Sequence, residues 1–160
     1  MQQKQYNKEK ELEEIFGNWF IQLSKPMIKL FGLEAAVLLC DLYSEYRYWK
    51  SKNRLQTNGS FYSTVENVEH NTGLTKAVQL KAIKVLVEYG IITKKVYGMP
   101  CKRYFSFNEK GITKLKKDIK LEIKKDKERL AKRKEQYGTD DMIGIFEGAM
   151  YNESTGEIWF

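Results

Sequence analysis

The chain has 160 residues, 42% of them hydrophobic and 13% aromatic, which is enough to bury one compact core with some chain left over. Its formal net charge of +7 favours an anionic partner such as nucleic acid over a basic surface that is merely solvated. Residues 1–16 are rich in charge and no stretch approaches about 18 apolar residues, so we expect neither an export signal nor a membrane span.

The two cysteines lie in different kinds of segment. Cys40 falls in an apolar helical run and Cys101 in a predicted turn. This arrangement matches neither a disulfide framework nor the spacing of metal ligands. We therefore expect a cytoplasmic protein that needs no metal or other cofactor.

The N-terminal part of the chain is predicted to be helical. Residues 8–16 have the spacing of a short amphipathic helix, and Ser24-Lys25-Pro26 begins a capped helical turn that ends at Gly32. Residues 33–49 follow, with apolar side chains at helical spacing between charged ones: Val37, Leu38, Leu39, Leu42, Tyr43 and Tyr46. We predict a core helix here.

The middle of the chain carries the signals of two helices joined by a short turn. Ser63 and Glu66 have the spacing of a capping box, and the helix that they begin ends at Gly73. A second helix is predicted from its N-cap, Thr75, to Gly90, which has the position of a left-handed C-terminal cap. Two helices joined by a Gly-containing turn predict a helix-turn-helix.

Predicted strands flank this pair of helices. Asn58-Gly59 predicts a turn that leads into a short strand at Phe61-Tyr62. Residues 91–97 and 102–107 are rich in β-forming side chains and are separated by a Gly98-Met99-Pro100 turn. They predict a β-hairpin, which is the wing of a winged helix-turn-helix.

Two further segments follow the predicted wing. Residues 109–137 have the pattern of a long helix capped by Asn108, with twelve basic and six acidic residues. One narrow apolar stripe runs along this helix: Ile112, Leu115, Ile119, Ile123, Leu130 and Tyr137. Residues 138–160 contain five acidic residues and no lysine or arginine, among apolar side chains such as Trp159 and Phe160.

The predicted fold class is α+β, mainly α: a winged helix-turn-helix with a C-terminal extended basic helix. The predicted segments are an N-terminal piece packing on the core (1–32), the winged domain (33–108), the basic helix (109–137) and an acidic aromatic tail (138–160). The apolar stripe is either a homodimer seam or packs back on the first helix, because an isolated basic helix gains little stability without packing. The tail either folds back on the basic helix or docks a partner such as a replication protein.

The predicted winged domain is basic in its own right. In a helix-turn-helix the second helix enters the major groove, where its early residues reach base edges and its lysines meet phosphate or guanine. Cations on a neighbouring wing contact the DNA backbone beside that groove. The candidate residues for binding double-stranded DNA are Thr75, Lys76, Lys81 and Lys84 on the helix and Lys94, Lys95, Lys102 and Arg103 on the wing.

Four motifs resemble the winged-helix domain of phage and plasmid replication-initiation proteins. They are Phe61-Tyr62-Ser63-Thr64, Thr72-Gly73-Leu74-Thr75, Leu86-Val87-Glu88-Tyr89-Gly90-Ile91-Ile92 and Gly98-Met99-Pro100-Cys101-Lys102-Arg103-Tyr104-Phe105. The resemblance spans roughly residues 19–108 and implies binding to origin repeats, with recruitment of other replication proteins by a C-terminal portion. One position departs from the pattern, because Gln79 stands where the second helix of such domains often has a buried aliphatic side chain.

Other functions are weighed against this resemblance. A small transcriptional regulator uses the same groove-binding helix, and a winged fold also serves as a protein-interaction module. Catalysis finds little support, because His70 is the only histidine and no phosphate-binding loop, paired carboxylates or activated nucleophile is evident. We therefore expect a DNA-binding protein that is not an enzyme.

Overall fold

The computed structural model describes residues 21–137, 150–151 and 158–159. Within these ranges the fold is α+β and mainly helical, as the sequence predicts. The helices are α1 (Lys25–Phe31), α2 (Leu33–Ser51), α3 (Val65–Thr72), α4 (Lys76–Tyr89) and α5 (Glu109–Tyr137). The strands are β1 (Phe61–Tyr62), β2 (Ile92–Tyr97), β3 (Lys102–Phe107), β4 (Met150–Tyr151) and β5 (Ile158–Trp159). The helix predicted over residues 8–16 lies outside the described residues.

The chain divides into two compact units, Met1–Ile119 and Lys120–Phe160. The first contains α1 to α4, a three-stranded sheet and the start of α5. The second contains the rest of α5 and an antiparallel pair, β4 and β5, in which Met150 lies opposite Trp159.

The three-stranded sheet is antiparallel with the strand order β1-β3-β2. Successive side chains of a strand point to opposite faces, and residues that lie opposite each other on neighbouring strands share a face. One face, which we call the inner face, carries Phe61, Ile92, Lys94, Val96, Arg103, Phe105 and Phe107. The opposite face, which we call the outer face, carries Tyr62, Thr93, Lys95, Tyr97, Lys102, Tyr104 and Ser106.

The core of the first unit lies between α2, α4 and the inner face of the sheet. Leu38 and Leu42 of α2 and Leu86 of α4 are fully buried, as are Phe61 and Phe105 of the sheet. Burying a side chain of this size is worth about 1.5 to 3 kcal/mol, so each of these five positions stabilises the packing of the two helices on the sheet. The apolar periodicity of residues 33–49 therefore predicted the core helix correctly.

The caps of α3 and α4 differ in detail from the sequence-based prediction. Thr64, not Ser63, caps α3, because its hydroxyl accepts a hydrogen bond from the backbone N–H of Asn67 at 3.0 Å. The predicted Ser63–Glu66 capping box is wrong, since Ser63 is fully buried and its backbone N–H donates to the Arg103 carbonyl at 3.2 Å. Thr75 is the N-cap of α4 as predicted, although its side chain accepts no capping hydrogen bond.

The start of α5 packs tightly against the end of α4. Gly90 ends α4 in the left-handed region, with φ at 90°, as the sequence predicts. Gly111 is buried on α5, and a Cβ atom added there would overlap the Gly90 carbonyl oxygen and the Ile91 backbone. Only glycine therefore permits this close approach.

The first turns of α5 also hold α4 through side chains. The Tyr89 hydroxyl donates to the Asp118 carboxylate at 2.5 Å, and the Lys114 ammonium lies 4.0 Å from the centre of the Tyr89 ring. Burial and the neighbouring carboxylate raise the pKa of Tyr89, so the hydroxyl stays a donor at neutral pH. These contacts hold the part of α5 from its start to Asp118 against the end of α4.

Candidate nucleic-acid interface

One side of α4 is cationic and exposed. Its buried side is formed by Gln79, Ala82, Ile83 and Leu86, which leaves Lys76, Lys81 and Lys84 in solvent on the first three turns. Thr75 precedes them and is also exposed. The four helix residues predicted to bind DNA are therefore all accessible, on the first three turns of α4 and at its N-cap.

An apolar side chain that the sequence analysis did not select lies among these lysines. Leu80 is 50% exposed and sits one turn from both Lys76 and Lys84 on the same side of α4. Its position was visible in the sequence, because it is out of phase with the buried residues of the helix. An exposed leucine at this place can make apolar contact with a thymine methyl group.

The four cations predicted on the hairpin do not share one surface. Lys95 and Lys102 are exposed and lie on the outer face of the sheet. Lys94 is half-buried on the inner face, opposite Phe105. Side chains alternate between the two faces of a strand, so the neighbouring residues Lys94 and Lys95 lie on opposite faces of the sheet.

Arg103 points into the domain. Its Nε donates to the Ser63 carbonyl at 3.1 Å and its Nη1 donates to the Gln79 side-chain oxygen at 2.9 Å. The guanidinium carbon also lies 5.5 Å from the centre of the Phe105 ring. Desolvation lowers the pKa of Arg103 while Glu66 opposes that shift. Arg103, which the sequence predicted to contact phosphate, thus links strand β3 to α4 and to the segment before α3.

Gln79 is the centre of that link. It is fully buried, and its amide nitrogen donates to the carbonyls of Val65 at 3.0 Å and Leu74 at 2.7 Å. With Arg103 on its oxygen, one side chain joins the start of α3, the turn, α4 and strand β3. A buried amide is tolerated when its hydrogen bonds are made, which explains why an aliphatic side chain is absent here.

No family model, curated protein or solved structure matches this chain. The site must therefore be interpreted from its own chemistry. Among the residues that the structure describes, no helix is long and apolar enough to cross a membrane. In the same ranges, no cluster of three or more His, Cys, Asp and Glu side chains is arranged to hold a metal ion.

The predicted apolar stripe of α5 is divided by the structure. Leu115 is half-buried and packs against the core of the first unit. Ile112 is 47% exposed, whereas Ile119 is half-buried. Ile123 and Leu130, in the second unit, are also half-buried. The side chain of Tyr137 lies outside the described residues, as do the aromatic side chains of the predicted tail.

Proposed function

We propose that this protein binds duplex DNA through a winged helix-turn-helix domain formed by residues 33–108. In this assignment α3, the turn at Gly73 and α4 are the helix-turn-helix, and the β2–β3 hairpin is the wing. The order of the elements and the antiparallel sheet support the assignment.

The observation that carries the proposal is the exposed cationic side of α4. Lys76, Lys81 and Lys84 all lie in solvent, and Lys84 forms an ion pair with Glu88 at 3.8 Å. An ion pair this exposed contributes little to stability, so phosphate can replace the carboxylate at low cost. A row of cations on a helix of this width fits the major groove of B-form DNA.

Base readout and phosphate contact have separate residues in this proposal. Lys76, Leu80 and Lys81 lie nearest the start of α4, where a groove-binding helix meets base edges. Lysine donates to guanine acceptors, and Leu80 recognises thymine by its methyl group. Lys84 and the exposed wing lysines contact phosphates, which positions the helix without reading sequence.

The hydrogen bond between Gln79 and Arg103 fixes the position of α4 relative to the wing. Because β3 is hydrogen-bonded to α4 through these two side chains, the binding surface is organised before DNA arrives. Less side-chain and hairpin freedom is then lost on binding. We assign Arg103 this positioning role.

We place this activity in the initiation of phage or plasmid DNA replication, in a cytoplasmic setting. The support is the resemblance of the four motifs to replication initiators. A transcriptional regulator would use the same surface, and the two roles differ in the arrangement of target sites: iterated sites near an origin indicate replication, whereas one palindrome at a promoter indicates transcription.

Partner contacts of the C-terminal segments belong to the same proposal. A homodimer seam along α5 would be formed by the exposed Ile112 and the half-buried Ile119, Ile123 and Leu130. Leu115 does not belong to this seam, because it packs on the core. Residues 138–160 are proposed to dock a replication protein. Light scattering of Ile119→Asp tests the seam, which is excluded if the unsubstituted protein is already a monomer.

The experiment begins with selection of binding sites from a random duplex library. Fluorescence anisotropy then compares the selected duplex with a scrambled one across a salt series. Lys81→Ala should reduce the preference for the selected site by about 1 to 3 kcal/mol if Lys81 makes a bidentate base contact. Lys84→Ala should weaken both duplexes alike and flatten the slope of log affinity against log salt by roughly one.

Lys116→Ala is the matched control, since Lys116 is an exposed lysine on α5. It should leave site preference unchanged. If Lys116→Ala weakens binding while Lys81→Ala and Lys84→Ala together do not, α5 carries the DNA and the assignment of α4 is wrong. If the folded protein selects no duplex at all, the proposed function itself is rejected.

A further inference from the structure

A continuous row of aromatic rings crosses the outer face of the sheet and continues onto the end of α2. We define this aromatic row as Tyr97, Tyr104, Tyr62, Trp49 and Tyr48. Tyr97 stacks on Tyr104 with centroids 4.1 Å apart and planes 5° apart. The following ring-to-ring distances are 6.3 Å to Tyr62, 4.7 Å to Trp49 and 5.4 Å to Tyr48.

The ends of the aromatic row are open to solvent. Tyr97 is 40% exposed and Tyr48 is 54% exposed, while the three rings between them are half-buried. The phenylalanines of the same strands, Phe61 and Phe105, are on the inner face and fully buried. Burial in the core therefore does not explain the aromatic character of the outer face.

Lysines accompany these rings. The Lys102 ammonium lies 5.1 Å from the centre of the Tyr62 ring, and the Lys52 ammonium lies 6.0 Å from that of Tyr48. Lys95 is exposed on the outer face opposite Tyr104. Flat rings at short intervals beside cations are the features by which proteins hold single strands, with bases on the rings and phosphates on the lysines.

A cleft of about 480 Å³ adjoins the aromatic row where Trp49 meets Tyr62. Asp41, only 5% exposed, lies among its lining residues. One carboxylate oxygen of Asp41 accepts from the Asn71 amide at 3.1 Å, and the other has no hydrogen-bond partner in the part of the chain that the structure describes. Glu45 also lines the cleft and accepts from the Trp49 indole at 3.3 Å.

We propose that the aromatic row binds single-stranded nucleic acid, with one base that carries an exocyclic amino group held in the cleft. Trp49 and Tyr62 stack against that base, and its amino group donates to the Asp41 carboxylate. Carboxylates recognise the amino group of cytosine in this way, whereas thymine has no amino donor to offer. This second surface shares the exposed wing lysines Lys95 and Lys102 with the surface proposed for duplex DNA, but it uses the aromatic row in place of α4.

Nucleic acid fits this surface better than a proline-rich peptide, the other ligand of aromatic grooves. Lys52, Lys95 and Lys102 flank the rings, and cations beside the track favour a chain with one negative charge at every step. The two carboxylates are confined to the cleft, where a base rather than a phosphate enters.

The test uses the full chain and short oligo(dC) and oligo(dT) strands of equal length, followed by fluorescence anisotropy at low salt. The unsubstituted protein should bind both and favour oligo(dC). Tyr97→Ala should lower single-strand affinity by roughly 5- to 100-fold, while Tyr97→Phe should retain it, because stacking needs the ring and not the hydroxyl. Asp41→Asn should abolish the preference for oligo(dC) over oligo(dT).

Tyr43→Ala is the control for loss of an exposed tyrosine, because Tyr43 is 53% exposed and its ring packs edge-on against Phe107, outside the aromatic row. It should leave single-strand binding unchanged. Circular dichroism of each variant verifies its fold.

The proposal is overturned if the unsubstituted protein binds neither strand, if Tyr97→Ala and Tyr43→Ala have equal effects, or if proline-rich peptides bind the row and oligonucleotides do not. Duplex binding is measured in parallel. Failure on single strands with intact duplex binding then rejects this proposal alone.

Discussion

The outer side of α4 and the outer face of the sheet are both accessible and both carry lysines, yet they differ in what accompanies the charge. Lys76, Lys81 and Lys84 have one exposed leucine and no aromatic ring among them on α4. Lys95 and Lys102 lie beside a row of tyrosines. A duplex hides the flat faces of its bases and presents edges and phosphates, whereas a single strand exposes the faces. This difference is the basis for proposing that the two surfaces bind two states of the same polymer.

Breaking the link between these surfaces should have the largest effect on stability. Arg103→Met removes two hydrogen bonds and leaves the Gln79 oxygen buried and unpaired, so the free energy of unfolding should fall by about 2 to 4 kcal/mol. Lys102→Ala, at the adjacent exposed position, is the control and should change it by less than about 0.5 kcal/mol. Urea titration monitored by circular dichroism measures both.

A double-mutant cycle with Gln79→Met tests whether the two side chains act as a pair. We expect the double variant to be more stable than the sum of the single losses predicts, by about 0.5 to 3 kcal/mol, because the bond between Gln79 and Arg103 is then lost only once and neither side chain leaves the other unpaired. Strict additivity would show that Arg103 does not hold α4 through Gln79.

The Asp41 carboxyl in the cleft beside the aromatic row should make the free energy of unfolding depend on pH. Burial, reinforced by Glu45 and opposed by Asn71, raises the pKa of Asp41 to about 6. Below about pH 4 the Asp41 carboxyl is protonated in both the folded and the unfolded protein, and it then costs no stability. The free energy of unfolding falls as the pH rises through about 6, because the unfolded protein ionises this carboxyl more readily than the folded one. Asp41→Asn should therefore increase the free energy of unfolding at pH 7 by about 1 to 2 kcal/mol.

The same substitution should give no such gain near pH 4. Urea titrations of both proteins between pH 4 and 7 make the comparison, and a constant difference across that range would contradict the assignment. A carboxylate that costs stability at neutral pH and lines an open cleft is the kind of group that function retains.

The smallest predicted effect distinguishes the two surfaces from each other. Glu88→Gln removes the carboxylate that lies 3.8 Å from the Lys84 ammonium. Both side chains of this ion pair are exposed. Duplex affinity should rise by a few-fold, since Lys84 no longer has a competing anion. Single-strand affinity should not change, and a parallel rise on oligo(dC) would indicate that one surface serves both ligands.

The sequence predicted the described helices and the hairpin well because their signals are local. Apolar periodicity located α2, the cap residues Thr75 and Gly90 located α4, and the Gly98-Met99-Pro100 turn located the end of the first hairpin strand. The Ser63 capping box failed because two adjacent hydroxyl residues offer the same local signal, and burial by β3 decided between them. Local patterns cannot supply that tertiary information.

The candidate sites were predictable only where strand alternation was enough. Phe61-Tyr62 and Tyr104-Phe105 each place a ring on either face, so an outer aromatic surface was present in the sequence pattern. The inward turn of Arg103 was not, because its acceptor Gln79 comes from another element and only the folded chain brings the two together. A charge on a strand predicts an exposed cation until such a partner is known.

The contact between Gly111 and the Gly90–Ile91 backbone has a consequence for ancestry. Surface lysines can be exchanged, moved or lost as a binding protein acquires new targets, and even the tyrosines tolerate other rings. At Gly111 the end of another helix lies so close that no residue with a Cβ atom fits. In diverged descendants of this chain, the glycine at 90 and the glycine at 111 should therefore persist together as a paired signature after the two proposed binding surfaces have changed beyond recognition.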